Sequence, residues 1–393
     1  MKEPPARADD IGVTRCILLP AVAALAVLWG AGAAVAQSPP PPPVPSSPVI
    51  PPAPPAPLAP VSEPIATPPL STPIPAAPSS SPDAWAQPSA DRLMADGSWP
   101  ELIGADLSRD ATRGDLDRAI GTLAGTPTAS PDPSSPLSVW TAHLLVVRAL
   151  GLEPELAGIA RIAVDGGAPL RMPRSAGAGV LARELGLVYN QPASRDAQER
   201  ARGETMRLAD LVVMLDRARR LGPWQRTRLA RYRDIRLPAM SAPRMAVVQA
   251  ALWQLGQPYV WAGDWPGVRS PWGAQDHGGF DCSGLVWWAF KGSIGPSQMS
   301  LGTGLLGRTA DAMAFERPAE RRTISALAPG DLVFFGPAGP ASPRGTISHA
   351  GIAIGNGWMV HSSGSRAGVA LSHLDDYWPS ATAFGRRVAQ LDP

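Results

Sequence analysis

Residues 347–363 read ISHAGIAIGNGWMVHSS, and this stretch decides the fold of the C-terminal part of the chain. Two short apolar runs flank the tripeptide Gly-Asn-Gly, which favours a tight turn between antiparallel strands. His349 opens the first run and His361 closes the second. Because the start of one strand lies beside the end of the next in an antiparallel hairpin, the two imidazoles are predicted to be neighbours.

Similar short runs surround this hairpin. GDLVFFG (330–336) precedes it and AFGRRV (383–388) follows it, and both have the aliphatic and aromatic bias of strands. Upstream, PRMAVVQAALWQLG (243–256) has the periodicity of a helix. Helices followed by an antiparallel meander predict an α+β fold in which helices pack on an antiparallel sheet.

Cys282 lies in GGFDCSGLVWWAF (278–290) and is one of two cysteines in the chain. A buried small hydrophobe, half of a disulfide and a nucleophile are the three interpretations. The segment after Cys282 is predicted to be helical, which puts the sulfur in a first turn, where free N–H groups and the helix dipole stabilise a thiolate. A nucleophilic thiolate needs a base and an orienting partner, and His349 and His361 supply these two roles.

The N-terminal segment predicts export. Residues 16–36 form an apolar run that ends in Ala-Val-Ala, so residues 1–36 are predicted to be a cleaved signal peptide, with a retained membrane anchor as the alternative. The acidic residues before Val13 suggest that translation starts further downstream. Cleavage would remove Cys16 and leave Cys282 without a disulfide partner in its own chain.

Two further regions separate the signal peptide from the C-terminal strands. Residues 37–83 are dominated by proline and are predicted to be a disordered, extended linker. Residues 84–240 show helical periodicity, with a capping box at Thr112 and Asp115 and a stop at Gly125. Around Thr112-Arg113 and from Thr205 to Ala218 this region weakly resembles surface-layer homology repeats, which favours a helical module that binds cell-wall polysaccharide. A plain helical packing module and an autoinhibitory module are the alternatives.

Four blocks in the C-terminal region together resemble the NlpC/P60 family of cell-wall cysteine peptidases: GQPYVWAGDW (256–265), GGFDCSGLVWWAF, GRTADAMA (307–314) and LAPGDLVFFG (327–336) with the hairpin behind it. The resemblance implies a papain-like catalytic domain over residues 243–393. It also implies roles for individual residues. The catalytic cysteine, the catalytic histidine and the third polar residue of the family correspond to Cys282, His349 and His361. Tyr259 corresponds to a family tyrosine near the oxyanion site. Asp281 and Ser283 correspond to positions beside the amino-terminal end of the substrate.

The resemblance implies a bacterial, secreted or wall-associated hydrolase that cuts the D-γ-glutamyl–diamino acid amide of peptidoglycan stem peptides. We expect no cofactor and no metal, because the catalytic groups are all side chains. A net charge of +2 and the lack of a basic cluster argue against a nucleic-acid partner. The alternatives are an amidase or acyltransferase of the same fold, and a non-catalytic wall-binding protein.

The segment between Tyr259 and Cys282 is longer than the compact form of the family. Its tryptophans, Trp261, Trp265 and Trp272, are predicted either to wall the cleft or to pack as a lid. In both cases the loop bears on which amide bond is cleaved.

Overall fold

The structure, a computed structural model, describes residues 83–125, 128–293 and 300–392. The predicted signal peptide and all but the last residue of the predicted proline-rich linker lie outside these residues. The described residues belong to one compact unit, Pro73–Pro393. Among the helices in these ranges, not one combines the length and the apolar character needed to cross a bilayer.

The middle region is mainly helical, as its periodicity predicts. Helix α2 begins at the predicted capping box: Thr112 accepts a hydrogen bond from the Asp115 backbone N–H, and Gly125 ends the helix in a left-handed conformation. The helices are α1 (Gln87–Ala95), α2 (Arg113–Ala124), α3 (Val139–Ala149), α4 (Glu153–Ala160), α5 (Arg174–Glu184), α6 (Leu208–Arg219) and α7 (Pro223–Arg228).

A small sheet that the sequence did not predict completes this region. Its central strand β1 (Arg161–Val164) pairs antiparallel with β2 (Leu170–Arg171) and parallel with β3 (Arg236–Leu237). Strand β3 lies at the end of the middle region, immediately before the C-terminal region begins.

The C-terminal region combines short helices with an antiparallel sheet, which confirms the predicted α+β class. The helices are α8 (Ala242–Leu252), α9 (Cys282–Trp287), α10 (Ser300–Thr303) and α11 (Ala310–Phe315). Short strands precede α9: β4 (Asp264–Trp265), β5 (Arg269–Ser270), β6 (Gly273–Ala274) and β7 (Gly279–Phe280). The main strands are β8 (Arg321–Arg322), β9 (Leu332–Phe335), β10 (His349–Gly355), β11 (Trp358–Ser363), β12 (Gly368–His373) and β13 (Thr382–Arg386).

These main strands form one sheet in the order β12-β11-β10-β9-β13-β8, and all neighbours are antiparallel. The β10–β11 connection is the predicted hairpin, and Gly355, Asn356 and Gly357 all adopt positive φ there. Helix α9 packs on β10 and β11, at the centre of the sheet. Strand β12 was not predicted from the sequence, although its six residues are almost entirely buried.

The middle region packs directly on the outer strand of this sheet. Helix α5 contacts β12, and the Tyr232 hydroxyl donates a 2.6 Å hydrogen bond to the Leu371 carbonyl. The Gly256 N–H donates to the Val369 carbonyl, and the Val369 N–H donates to the Gln257 carbonyl. These two hydrogen bonds pair a further part of the outer edge of β12. An unpaired edge would expose backbone donors and acceptors, so these contacts satisfy the outer edge of β12.

Candidate active site

The hairpin brings His349 and His361 together, as the sequence predicts. In the β10–β11 register Ile352 pairs with Val360, which puts His361 opposite Gly351 and on the same sheet face as His349. His349 Nε2 lies 2.9 Å from His361 Nδ1, and both residues are buried. His361 does not end its strand, because β11 continues to Ser363.

Cys282 is the first residue of α9, and Asp281 caps that helix by accepting the Gly284 backbone N–H at 2.5 Å. Packing of α9 against the hairpin puts the Cys282 Sγ 4.0 Å from the Ser348 carbonyl, immediately before His349. The cysteine is free and partly exposed. The structure therefore brings the three predicted catalytic side chains to one end of the β10–β11 hairpin.

The electrostatics of this pair differ from the stabilised thiolate that the helix start predicts. Desolvation by the surrounding protein raises the pKa of the Cys282 thiol to about 11, and the adjacent Asp281 carboxylate adds to the rise. Burial lowers the pKa of His349 to about 3. The Asp281 carboxylate counters the effect of the helix dipole on the thiolate, and desolvation outweighs that dipole. Both groups are neutral at neutral pH.

The hydrogen bond between the histidines uses one ring nitrogen of His349. Because Nε2 is engaged by His361, Nδ1 is the other ring nitrogen of His349. His361 is engaged at both nitrogens, since its Nε2 lies 3.0 Å from the Ser372 Oγ. A base that is held by a second imidazole, itself held by a hydroxyl, has a restricted ring orientation.

A cleft of about 390 Å³ opens beside Cys282 and contains the other predicted site residues. Tyr259 reaches it through a parallel bridge to Phe280, two residues before the cysteine. Burial raises the pKa of the Tyr259 hydroxyl further above its ordinary value, and the nearby Cys282 adds to the rise. Asp281 and Ser283 flank the nucleophile in the cleft wall. Helix α9 and strand β7 before it bring Tyr259, Asp281, Cys282 and Ser283 together.

Arg308 is a cleft residue that was not predicted from the sequence. Its guanidinium donates to the Ser283 Oγ at 2.8 Å and to the Asp281 Oδ1 at 3.3 Å, and it also bonds to the Ala262 carbonyl at 3.0 Å. It supplies a positive charge beside the carboxylate that caps α9. The only signal in the sequence was its position in GRTADAMA, one of the blocks that carry the family resemblance.

Of the three tryptophans predicted to wall the cleft or to pack as a lid, one lines the cleft and the other two do not line it. Trp261 lines the cleft, and its side chain is exposed. Its backbone N–H donates a 2.6 Å hydrogen bond to the Asp196 carboxylate of the middle region. Trp272 makes edge contacts with both Trp265 and Trp287, which ties the β5–β6 segment to α9. One tryptophan therefore walls the cleft and the others pack against the domain.

Within residues 83–125, 128–293 and 300–392, His, Cys, Asp and Glu side chains form no cluster of three or more that could hold a metal ion.

Two more residues, Ser372 and Glu184, extend the hydrogen bonds of the histidine pair. The Ser372 Oγ that contacts His361 also lies 2.6 Å from a carboxylate oxygen of Glu184, at the end of α5. Neither residue was predicted from the sequence to belong to the site.

Residues 256–387 match the NlpC/P60 family model, so this part of the chain is an NlpC/P60 family domain. A probable endopeptidase of Mycobacterium tuberculosis is 40% identical over 136 residues, which are 35% of this chain and 28% of that protein. The murein DD-endopeptidase MepH of Escherichia coli is 35% identical over 136 residues, 34% of this chain and 42% of MepH.

The bifunctional muramidase/DL-endopeptidase CwlT of Bacillus subtilis is 37% identical over 145 residues, 36% of this chain and 35% of CwlT. The match therefore spans less than half the length of each of these three relatives. It coincides with the region that carries the cleft, the cysteine and the histidine hairpin.

Proposed function

We propose that this protein is an exported peptidoglycan hydrolase, a cysteine endopeptidase that cleaves an amide bond of the stem peptide. One observation carries the proposal: the Sγ of a free cysteine at a helix start lies 4.0 Å from the carbonyl of Ser348, the residue before a buried histidine that a second histidine contacts at 2.9 Å. The similarity of residues 256–387 to proteins named endopeptidases supports the same chemistry. A nucleophile, a base and an orienting group are the parts that covalent acyl transfer requires.

In the first half of the reaction Cys282 Sγ attacks the carbonyl carbon of the scissile amide while its proton passes to His349 Nδ1. The carbonyl oxygen becomes an oxyanion. As the first residue of α9, Cys282 has a backbone N–H that no carbonyl of its own helix can accept, and the Tyr259 hydroxyl is the second candidate donor. A donor of this kind lowers the barrier by about 3–4 kcal/mol.

The tetrahedral intermediate collapses when His349 returns the proton to the departing amine, which leaves a thioester on Cys282. Water then attacks the thioester carbonyl, His349 takes a proton from that water, and the carboxylic acid product leaves as the thiol is restored. His361 does not exchange a proton with substrate in this scheme. Its role is to hold the ring of His349 so that the same nitrogen serves both halves.

The polar wall of the cleft suits the amino-terminal side of the substrate. Asp281, Ser283 and Arg308 are linked by hydrogen bonds, so a carboxylate, a hydroxyl and a guanidinium are presented together. We infer that these groups bind the charged and polar atoms that precede the scissile bond, which we propose is D-γ-glutamyl–diamino acid. MepH is named a DD-endopeptidase and CwlT a DL-endopeptidase, so an experiment has to distinguish cleavage of these two kinds of peptide bond.

Export and wall association belong to the same proposal. The predicted signal peptide supports secretion, and the proline-rich segment supports a spacer that places the enzyme within a wall.

Binding of wall polysaccharide by residues 84–240 is a separate part of the proposal. It predicts that the full chain carrying Cys282→Ala sediments with purified sacculi, and free protein in the supernatant would contradict it.

The experiment is a digest of purified peptidoglycan with the full-length protein, followed by mass spectrometry of the products. Release of peptides that begin with the diamino acid, with L-Ala-D-Glu left on the glycan, supports the proposed bond. Loss of the D-Ala–diamino acid cross-link instead would assign DD-endopeptidase activity, and release of intact stem peptides from the glycan would assign an amidase. If Cys282→Ala releases the same products at the same rate, the cysteine mechanism is wrong.

A further inference from the structure

A chain of hydrogen bonds runs from the histidine pair out of the catalytic sheet and into the middle region. His361 Nε2 lies 3.0 Å from the Ser372 Oγ, which lies 2.6 Å from the Glu184 Oε1. The other carboxylate oxygen, Oε2, lies 3.2 Å from the guanidinium of Arg366. Its buried members leave little room for water, since His361 is 0% and Ser372 1% exposed and the side chain of Glu184 is 5% exposed.

The sheet register explains why these groups line up. His361 pairs with Ala370 across β11 and β12, so Ser372, two residues further, lies diagonally on the same face. His349 lies on that face in β10. Three adjacent strands therefore present His349, His361 and Ser372 in a row, and α5 closes the row with Glu184.

The carboxylate of Glu184 fixes which atom donates and which accepts in each hydrogen bond of the row. An ionised Glu184 only accepts hydrogen bonds, so Ser372 must donate its hydroxyl proton to it. The Ser372 oxygen then accepts from His361, which requires the proton of His361 on Nε2 and a lone pair on Nδ1. That lone pair accepts from His349 Nε2–H, and the second nitrogen of His349, Nδ1, is left unprotonated. This is the tautomer that can take a proton from Cys282.

We propose that Glu184, supplied by α5 of the middle region, is a positioning residue that fixes the tautomer of His349 through Ser372 and His361. Its consequence for catalysis rests on the proposed cysteine peptidase activity, whereas the tautomer itself does not. The middle region then supplies a part of the catalytic apparatus.

Each carboxylate oxygen of Glu184 faces a donor, Ser372 at Oε1 and Arg366 at Oε2. Desolvation is the largest effect and raises the pKa of this carboxyl group, and the Arg366 guanidinium and the Ser372 hydroxyl offset part of that rise. The end of α5 is also firmly held. Arg183, the neighbouring residue, donates hydrogen bonds to the carbonyls of Ala367 and Gly256, each at 3.1 Å, across the contact between the two regions.

Glu184→Gln is the informative variant because the new amide has one acceptor and one donor. Arg366 needs an acceptor, so the amide oxygen turns to Arg366 and the NH₂ group faces Ser372. The hydroxyl of Ser372 then donates to His361 Nε2, and every hydrogen bond in the row reverses. His349 is left with its proton on Nδ1, where it cannot accept the thiol proton.

The experiment measures the tautomer of His349 directly, by long-range ¹H–¹⁵N correlation on the full-length protein labelled at histidine. The wild type is expected to show His349 protonated at Nε2, and Glu184→Gln to show a large population protonated at Nδ1. Ser372→Ala removes the link and should give a mixture, whereas Ser372→Thr keeps the hydroxyl and should restore the wild-type signal. Glu153→Gln, an exposed glutamate of the same region, is the matched control and should change nothing.

Kinetics on muropeptides provide the second readout. Glu184→Gln should lower kcat between about 10-fold and 10⁴-fold, the upper figure being the cost of a wrong tautomer in a catalytic triad, with KM unchanged. An unchanged His349 tautomer in both Glu184→Gln and Ser372→Ala would overturn the inference even if the enzyme is active. If the wild type cleaves no muropeptide, the proposed function fails, and the tautomer measurement still decides the inference. If Ser372→Ala does not fold, Glu184→Gln decides it alone.

Discussion

Alkylation of Cys282 tests whether burial controls the reactivity of the nucleophile. With a pKa of about 11, the thiolate fraction at pH 7 is about 10⁻⁴, compared with about 3% for an unperturbed thiol of pKa about 8.5. The more basic thiolate is also about 10- to 20-fold more nucleophilic. Iodoacetamide should therefore modify Cys282 about 15- to 30-fold more slowly at pH 7 than it modifies the same cysteine in a short unfolded peptide.

Because the thiolate is the reactive form, the rate should rise about tenfold for each pH unit up to pH 10 and level off only near pH 11. Modification is followed by mass spectrometry of the peptide that contains Cys282, which separates it from Cys16. Asp281→Asn should still cap α9 but removes the charge that raises the thiol pKa, so its profile should shift to lower pH.

Asp311→Asn is the control, since Asp311 lies in the same cleft and bonds through one oxygen that the amide retains. It should leave the profile of the wild type unchanged. A profile that levels off below pH 7 would refute the reasoning, because it would mean that Cys282 and His349 form an ion pair whose attraction exceeds the cost of burial.

Three further variants test the packing around the site. Gly284→Ala would place a methyl group in conflict with the Gly263 carbonyl, so it should cost about 1–3 kcal/mol in chemical denaturation and lower kcat, while the open position Gly203→Ala should do neither. Arg308→Ala removes the positive charge from the cleft wall and should raise KM for muropeptides more than it lowers kcat; an unchanged KM would exclude Arg308 from substrate binding. Tyr232→Phe removes the hydrogen bond to the outer strand and should cost about 1 kcal/mol of unfolding free energy with kcat unchanged.

The parts of the site that the sequence predicted are those with strong local signals. The turn residues and the alternating runs predict the hairpin, and a fixed pairing direction then makes His349 and His361 neighbours. The apolar segment after Cys282 predicts a helix, and Asp281 caps it. Periodicity and capping likewise predict α2. In each case the pattern that decides the geometry lies within about fifteen residues of chain.

The parts that it did not predict depend on contacts between distant segments. Arg308 reaches Asp281 across 27 residues, and Glu184 reaches Ser372 across 188. Nothing in the local pattern of α5 marks Glu184 as more than the last residue of a helix. The thiol pKa belongs to the same class, because the helix start was visible in the sequence and the packing that outweighs it was not.

These contacts bear on how the middle region works. A wall-binding module that only tethers an enzyme needs no buried contact with it, because a flexible linker suffices to hold the two together. Here α5 is buried along most of its length, Arg183 bonds to two carbonyls of the catalytic region, and Tyr232 bonds to the outer strand of its sheet. Substitutions that displace α5 should therefore act on catalysis itself. A variant that weakens α5 packing should lower turnover on small soluble muropeptides as much as on intact sacculi, whereas loss of a mere tether would spare the soluble substrate.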